Sequence, residues 1–270
     1  LASSECNDEI ILDFNAPYSG VATITLNRPE VHNAFDEKII AKFNAILKTL
    51  HARDDIHLVC LQANGKNFCA GADLNWMKRM STYTQAENHQ DAKQLSELMH
   101  LLATLPQPTL AIVQGSAFGG GVGLVACCDI VIASDIAEFC LSEVKLGLAP
   151  AVISPYVVAA IGIRQAKRYM LTAESISTKQ ALDLGLVHKV ISHENLEIAR
   201  DEMIRVLMAN GPKALQSAKK CCHDIATINN EDQLQFALIE TIAQLRIGEE
   251  AQEGMHAFFE KRKPKWNQNV

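Results

Sequence analysis

Apolar residues fall at positions 35, 39, 40, 43, 46, 47 and 50. That spacing marks one face of a helix and predicts a helix over residues 35–50. Ahead of it, residues 9–14 and 21–26 are short β-type runs separated by Pro17 and Ser19-Gly20, the pattern of an opening hairpin. Further strands are predicted over 57–62, 109–113 and 129–133, with a long helix over 92–105. Residues 75–90 read as a mobile loop that supplies pocket walls, with other subunits supplying the rest. Ser154-Pro155 places a proline in the first turn of another helix. Beyond about residue 192 the pattern is helical only, over 195–208, 212–226, 233–245 and 250–261. The chain therefore reads as α/β, with a core over 1–192 and a helical region over 193–270. The stripe Leu196, Ala199, Met203, Val206 and Leu207 is more apolar surface than one small domain would readily bury.

Candidate chemistry sits where two of the strands end. In QGSAFGGGVGLVACCD (114–129) an apolar run breaks at three glycines before a small-residue helix predicted over 122–128. Such a junction leaves unpaired N–H groups at the helix N-terminus, able to stabilise an anion or an oxygen that becomes anionic. Three glycines alone are explained as often by a tight turn or close backbone packing. A second segment, FCAGADL (68–74), follows another strand and the turn Asn64-Gly65. Two strand ends, each offering an N–H free of a bulky side chain, are what an oxyanion hole needs.

Composition narrows the classes. The 270 residues carry 48% hydrophobic and 21% charged positions with a net charge of −6, an ordinary globular balance. Lys261-Arg262-Lys263 with Lys265 is the one basic cluster, and an acidic chain without an aromatic-interleaved basic face argues against nucleic acid. No apolar run reaches bilayer-spanning length, and residues 1–10 lack the basic and apolar regions of a signal peptide. The eight cysteines include adjacent pairs (127–128, 221–222) but no CxxC, which points to free thiols in a reducing compartment. No HExxH or compact Cys/His spacing occurs, so no metal is expected.

Six segments in order carry a resemblance: TLNRPEVHNAF (25–35), FCAGADL (68–74), AFGGGVGL (117–124), LSEVKLGLAP (141–150), ALDLGLVHKV (181–190) and EGMHAFFEKRKPKW (253–266). Together they resemble the crotonase, or enoyl-CoA hydratase/isomerase, superfamily over nearly the whole chain. The resemblance implies a spiral of strand–strand–helix repeats with a C-terminal all-helical trimerisation region, assembled as a homotrimer or a dimer of trimers. It implies an acyl-CoA thioester substrate and no cofactor, since coenzyme A is part of the substrate. It assigns the oxyanion donors to the N–H groups of Ala72 and Gly120, the proton-transfer role to Glu143, and substrate contacts to Ala70, Gly71, Asp73, Leu74, Gly119, Gly123 and Lys261. The expected location is a bacterial cytoplasm, or the mitochondrial matrix in a eukaryote.

One departure bears on the reaction. Hydratases of this superfamily commonly use two glutamates, and here Gly123 stands where the first would be. APAVISPY (149–156) likewise replaces the usual glycine-rich run. Both features resemble a bacterial branch that includes methylglutaconyl-CoA and carboxygeranoyl-CoA hydratases. That likeness implies hydration of a branched, carboxylated enoyl-CoA, with Gly123 opening the pocket wall and Lys78, Arg79 or Lys145 as a cationic anchor. The alternative is an enoyl-CoA isomerase, because one carboxylate can take a proton from one carbon and return it to another. A non-catalytic or RNA-associated relative is disfavoured by the presence of Glu143 with both oxyanion positions, and by the acidic charge.

Overall fold

The opening hairpin forms β1 (Ile10–Asp13) antiparallel to β2 (Val21–Leu26), with Ile10 opposite Leu26. The protein is described by a computed structural model over residues 8–14 and 18–267, so Pro17 and Cys6 lie outside the described residues. The first helix, α1 (Glu37–His51), starts two residues later than its apolar spacing suggests. Asp36 caps it, accepting from the N–H groups of Lys38 and Ile39. Phe35 stays extended because it bridges to Ala72. After β3 (Leu58–Ala63) comes the main difference from expectation. Residues 75–90 hold α2 (Leu74–Met80), capped by the Asp73 side chain, and the start of α3 (Gln85–Ala103), opened by a Thr84–Glu87 capping box. Caps supply the start signals that weak apolar periodicity hides.

The chain continues through β4 (Thr109–Val113), β5 (Ala117–Phe118), α4 (Gly120–Cys127), β6 (Ile130–Ser134) and β7 (Glu138–Cys140). Next come α5 (Ser154–Ile161), α6 (Ile163–Thr172), β8 (Ile176–Ser177), α7 (Thr178–Leu184) and β9 (Lys189–Ile191). Six strands form one sheet in the order β1-β2-β3-β4-β6-β9, parallel apart from β1, while β5-β7-β8 form a smaller sheet. The backbone steps between sheets at β4–β5 and again at β6–β7, which is the expected spiral of strand–strand–helix turns.

Side chains alternate across each strand, so the large sheet feeds two cores. Val59, Leu61, Ala111 and Val113 join the main core with α1, α3 and α4, while Leu58, Cys60, Leu110 and Ile112 face the other way. That second face is covered by α8 (Leu196–Met208) through Leu196, Ala199, Ile204, Leu207 and Met208. Most of the stripe in this helix therefore packs on its own sheet. Val206 alone of it is strongly exposed, at 59%. Burial pushes the Cys60 and Cys69 thiols up to about 12, and both behave as small core hydrophobes.

The remaining helices are α9 (Pro212–Thr227), α10 (Glu231–Ile247) and α11 (Glu249–Phe259). Lys219 ties α9 to the spiral through Asp129 at 2.7 Å, and Glu250 accepts from the N–H groups of Lys213 and Ala214 at the start of α9. Phe236, Ile239, Ile247, Phe258 and Phe259 are left largely exposed on this unit. No helix among the described residues is long and apolar enough to cross a membrane.

Candidate active site

Ala72 and Gly120 owe their free N–H groups to what their neighbours bond. Phe35 N–H donates to Gly71 O at 2.9 Å and Asp73 N–H donates to Phe35 O at 3.0 Å. In such an extended pairing the residue between turns its N–H to the opposite side, and that residue is Ala72. The same turn is joined to β5, where Phe118 N–H donates to Cys69 O at 2.9 Å. Gly120 opens α4, so its N–H precedes the first intrahelical acceptor. No protein partner accepts from either group among the described hydrogen bonds, and both residues line one cavity of about 370 Å³.

The three glycines meet separate demands. Gly119 has φ +50°, and a Cβ there would sit 3.1 Å from Glu143 Oε1. A Cβ on Gly120 would lie 2.3 Å from Phe35 Cζ, and one on Gly121 would lie 2.5 Å from Cys69 O. Small residues thus let the start of α4 pack against the FCAGADL turn closely enough for the two N–H groups to share a cavity. Gly71, at φ +85°, closes that turn in a conformation that side chains disfavour.

Glu143 arrives by a similar extension of pairing. Gly119 N–H donates to Cys140 O at 2.8 Å, which carries the β5–β7 pairing one residue further. Three residues on, Glu143 begins a 3₁₀ turn and sets its carboxylate beside Gly119. It is half-buried, and its Oε2 is buried without a hydrogen-bond partner. Burial pushes its carboxyl above the ordinary value, with a backbone hydrogen bond opposing in part. A carboxylate so placed is suited to exchanging a proton with a bound molecule.

Ala70, Gly71, Ala72, Gly119, Gly120 and Glu143 all line the cavity. Asp73, Leu74, Gly123 and Lys261 are not among its lining residues. Asp73 is instead committed to structure, capping α2 and pairing with Arg28 at 3.5 Å. Leu74 is 72% exposed on α2, and Lys261 lies on the exposed segment after α11. A larger hollow of about 720 Å³ among α9, α10 and α11 is lined by none of these residues.

The expectation that Gly123 opens the pocket wall is corrected by the packing. A Cβ there would lie 2.4 Å from Ile153 Cγ2 and 3.2 Å from Met99 Cε. Ile153, 2% exposed, lines the cavity itself and occupies the space that a longer side chain at 123 would need. The glycine in α4 and the APAVIS segment are therefore two halves of one packing arrangement. Gly123→Glu should lower stability by about 1–3 kcal/mol, as overpacked cores do. Gly123→Glu with Ile153→Gly should lose less than the two single changes added together, as read from denaturant unfolding. Strict additivity would deny the coupling.

Trp76, Met80 and Asn88 on this wall fall within the 75–90 segment expected to supply it, while Phe35, Asp91, Leu95 and Ile153 are not singled out by motif as wall residues. A signal existed for part of this set. Asn88, Asp91 and Leu95 recur at helical spacing on the stripe that continues to Leu98, Met99 and Leu102, so two polar residues stand on an otherwise apolar face.

Comparison with known proteins places this geometry. The sequence profile described as enoyl-CoA hydratase/isomerase matches residues 16–269. The crystal structure of an enoyl-CoA hydratase from Shewanella pealeana is 42% identical with a TM-score of 0.90, covering 97% of each chain. The mevalonyl-coenzyme A hydratase sidH of Aspergillus fumigatus is 31% identical over 266 residues, 95% of this chain and 94% of its own. The trans-2-decenoyl-[acyl-carrier-protein] isomerase of Streptococcus mutans is 31% identical over 255 residues, 92% of this chain and 95% of its own. These likenesses span nearly the full length and include both hydratases and an isomerase. This chain belongs to the enoyl-CoA hydratase/isomerase family.

Proposed function

We propose that the protein hydrates a branched enoyl-CoA carrying a carboxyl group on its acyl chain, such as 3-methylglutaconyl-CoA, with Glu143 as its single proton-transfer carboxylate. The observation that carries this reading is the gathering of the Ala72 and Gly120 N–H groups with Glu143 on one cavity. The thioester oxygen lies between the two donors. Glu143 takes a proton from water as the hydroxyl oxygen bonds to the β-carbon, and the negative charge moves to the thioester oxygen as an enolate. Glu143 then returns that proton to the α-carbon, so one carboxylate ends as it began and one water has been added. Two donors aimed at the enolate oxygen each stabilise the transition state by about 3–4 kcal/mol in a dry site.

The exposed apolar residues on α10 and α11 support assembly as a homotrimer or a dimer of trimers through the C-terminal helices. On this reading residues 193–270 serve assembly, with α8 also covering the sheet.

Isomerisation is a second reading, favoured by one observation: Ile153 fills the position beside Gly123 where a second carboxylate would stand. A panel of branched, carboxylated and straight enoyl-CoAs separates the two. Hydration is expected to remove the absorbance of the conjugated thioester and add 18 mass units to the product. A double-bond shift without mass gain across the panel would replace the hydratase reading with the isomerase one.

A further inference from the structure

Arg28, Lys78, Arg79 and Lys145 stand near the cavity without lining it. The last three are exposed, and Arg79 is held by Glu37 through bonds of 2.9 and 2.8 Å, so the cations expected to anchor a distal carboxylate are not on the wall. Arg28 differs. Its side chain is only 15% exposed, and its guanidinium meets four acceptors at once. Nη1 donates to Ala34 O at 2.8 Å and lies 3.8 Å from Asp36 Oδ2. Nη2 lies 3.5 Å from Asp73 Oδ2, and Nε lies 3.3 Å from Glu9 Oε1. Three of these partners flank the residues that shape the oxyanion site: Ala34 and Asp36 stand on either side of Phe35, and Asp73 follows Ala72.

Phe35 is where the two donor-bearing turns meet. Its N–H and C=O bracket Ala72, through Gly71 O at 2.9 Å and the Asp73 N–H at 3.0 Å. Its ring abuts the start of α4, where a Cβ on Gly120 would meet Cζ at 2.3 Å. One residue thus touches both turns, and one guanidinium holds it through both neighbours. The root of Arg28 is pinned to the same place. Asn33, 3% exposed and at φ +55°, accepts from the Arg28 N–H at 2.8 Å and donates to Asn64 O and Asn67 O at 2.8 Å each. Asn67 directly precedes FCAGADL, and asparagine is among the residues that tolerate this left-handed backbone. Asp36 and Asp73 each cap a helix with Oδ1 and turn Oδ2 toward the guanidinium. Taking such charges largely out of water is costly, and their attraction offsets that cost only in close geometry. A lysine would carry the charge as a single point, without the planar fork that spans three partners.

We infer that Arg28 is a positioning residue for the oxyanion hole: by holding both neighbours of Phe35 and the residue after Ala72, it sets how far apart the Ala72 and Gly120 N–H groups stand. The inference rests on the acyl-CoA reading of this cavity. Arg28 touches no substrate and moves no proton. Its effect passes through the Phe35–Ala72 pairing, so its loss lets the two donors drift and a bound thioester oxygen accepts less well from both.

Infrared difference spectroscopy of the full-length protein tests this, with butanoyl-CoA carrying carbon-13 at its thioester carbonyl. The ester has no double bond, so the measurement needs no turnover and holds whether or not the hydratase assignment does. Binding to wild type should move the carbonyl band to lower wavenumber, because hydrogen bonds to the oxygen weaken the C=O bond. Arg28→Lys and Arg28→Gln should each lose more than half of that downshift, while the dissociation constant of butanoyl-CoA rises less than about threefold. On a substrate that is turned over, kcat should fall by about 10–10²-fold with a smaller change in KM, the scale of a misplacement of about 1 Å. Arg28→Lys keeps the charge, so its Tm should fall less than that of Arg28→Gln, yet its band shift should be lost as fully. If Arg28→Gln does not fold, Arg28→Lys decides by itself. A wild-type band position in folded, ligand-bound Arg28→Lys, with only Tm lowered, would overturn the positioning role alone. Absence of butanoyl-CoA binding, or of any downshift in wild type, would overturn it together with the acyl-CoA reading.

Discussion

Glu143→Gln is expected to lower kcat by about 10²–10⁴-fold, with the dissociation constant of an unreactive acyl-CoA changing little, because the lost role belongs to the chemical step. The amide has nearly the same shape as the carboxyl group but cannot take a proton and hand it back. Stability should move the other way. Burial places the folded-state pKa of Glu143 above its unfolded value, so the native state favours the neutral form. Its contribution is fully present below the unfolded pKa and is lost as pH rises through the folded one. Glu143→Gln should therefore have an equal or higher Tm at neutral pH, and should lack the part of the decline in stability that wild type shows over that interval. The acid limb of kcat/KM in wild type should lie above the value of a free glutamate, the direction in which burial shifts Glu143, and the residual activity of the variant should not follow it. Near-normal kcat in Glu143→Gln would assign the proton transfer to another group, with Asp91 the other carboxylate on the wall.

The second large effect belongs to a methyl group. Gly120→Ala is expected to cut kcat/KM by about 10²–10³-fold, the scale of losing one oxyanion donor. Gly120 has no positive φ, so alanine is not excluded by its backbone conformation. The conflict is with Phe35, whose Cζ lies 2.3 Å from the position of the new Cβ. Relief requires either the ring or the start of α4 to move, and movement of α4 carries the Gly120 N–H away from the thioester oxygen. Phe35→Ala in the same chain removes the obstacle and should recover part of kcat/KM beyond what either single change predicts. Steady-state kinetics of the four proteins, with circular dichroism to follow folding, make the comparison. Gly120→Ala with wild-type kcat/KM would show that this N–H does not meet the developing charge.

Much of the architecture was legible because the signals are local. The 3.6-residue recurrence over 35–50 yielded α1, with its start displaced only because Phe35 pairs as a strand. Strand β4 matched its apolar run at residues 109–113. Glycines 119–121 marked the turn into α4, and the residues around Glu143 pointed to a strand end, which became the 3₁₀ turn after β7. Helix α2 went unread because seven residues rich in polar and methionine side chains carry little periodicity, and its start depends on the Asp73 cap.

The sequence by itself determined that two glycine-flanked strand ends and a carboxylate exist, and in what order they follow one another. Only the tertiary structure decided what each group faces. Ala72 keeps a free N–H because Phe35, far earlier in the chain, bonds the residues on either side of it. Gly123 looks like open space in sequence and is covered by Ile153 thirty residues later. The α8 stripe, readable as an interface, finds its cover on its own sheet. Trp76 and Asp91 come from separate helices and line one cavity. The physical reason is common to all four. Periodicity and turn chemistry act over a few residues along the backbone, whereas burial and pairing are settled by contacts between segments that only the folded chain brings together.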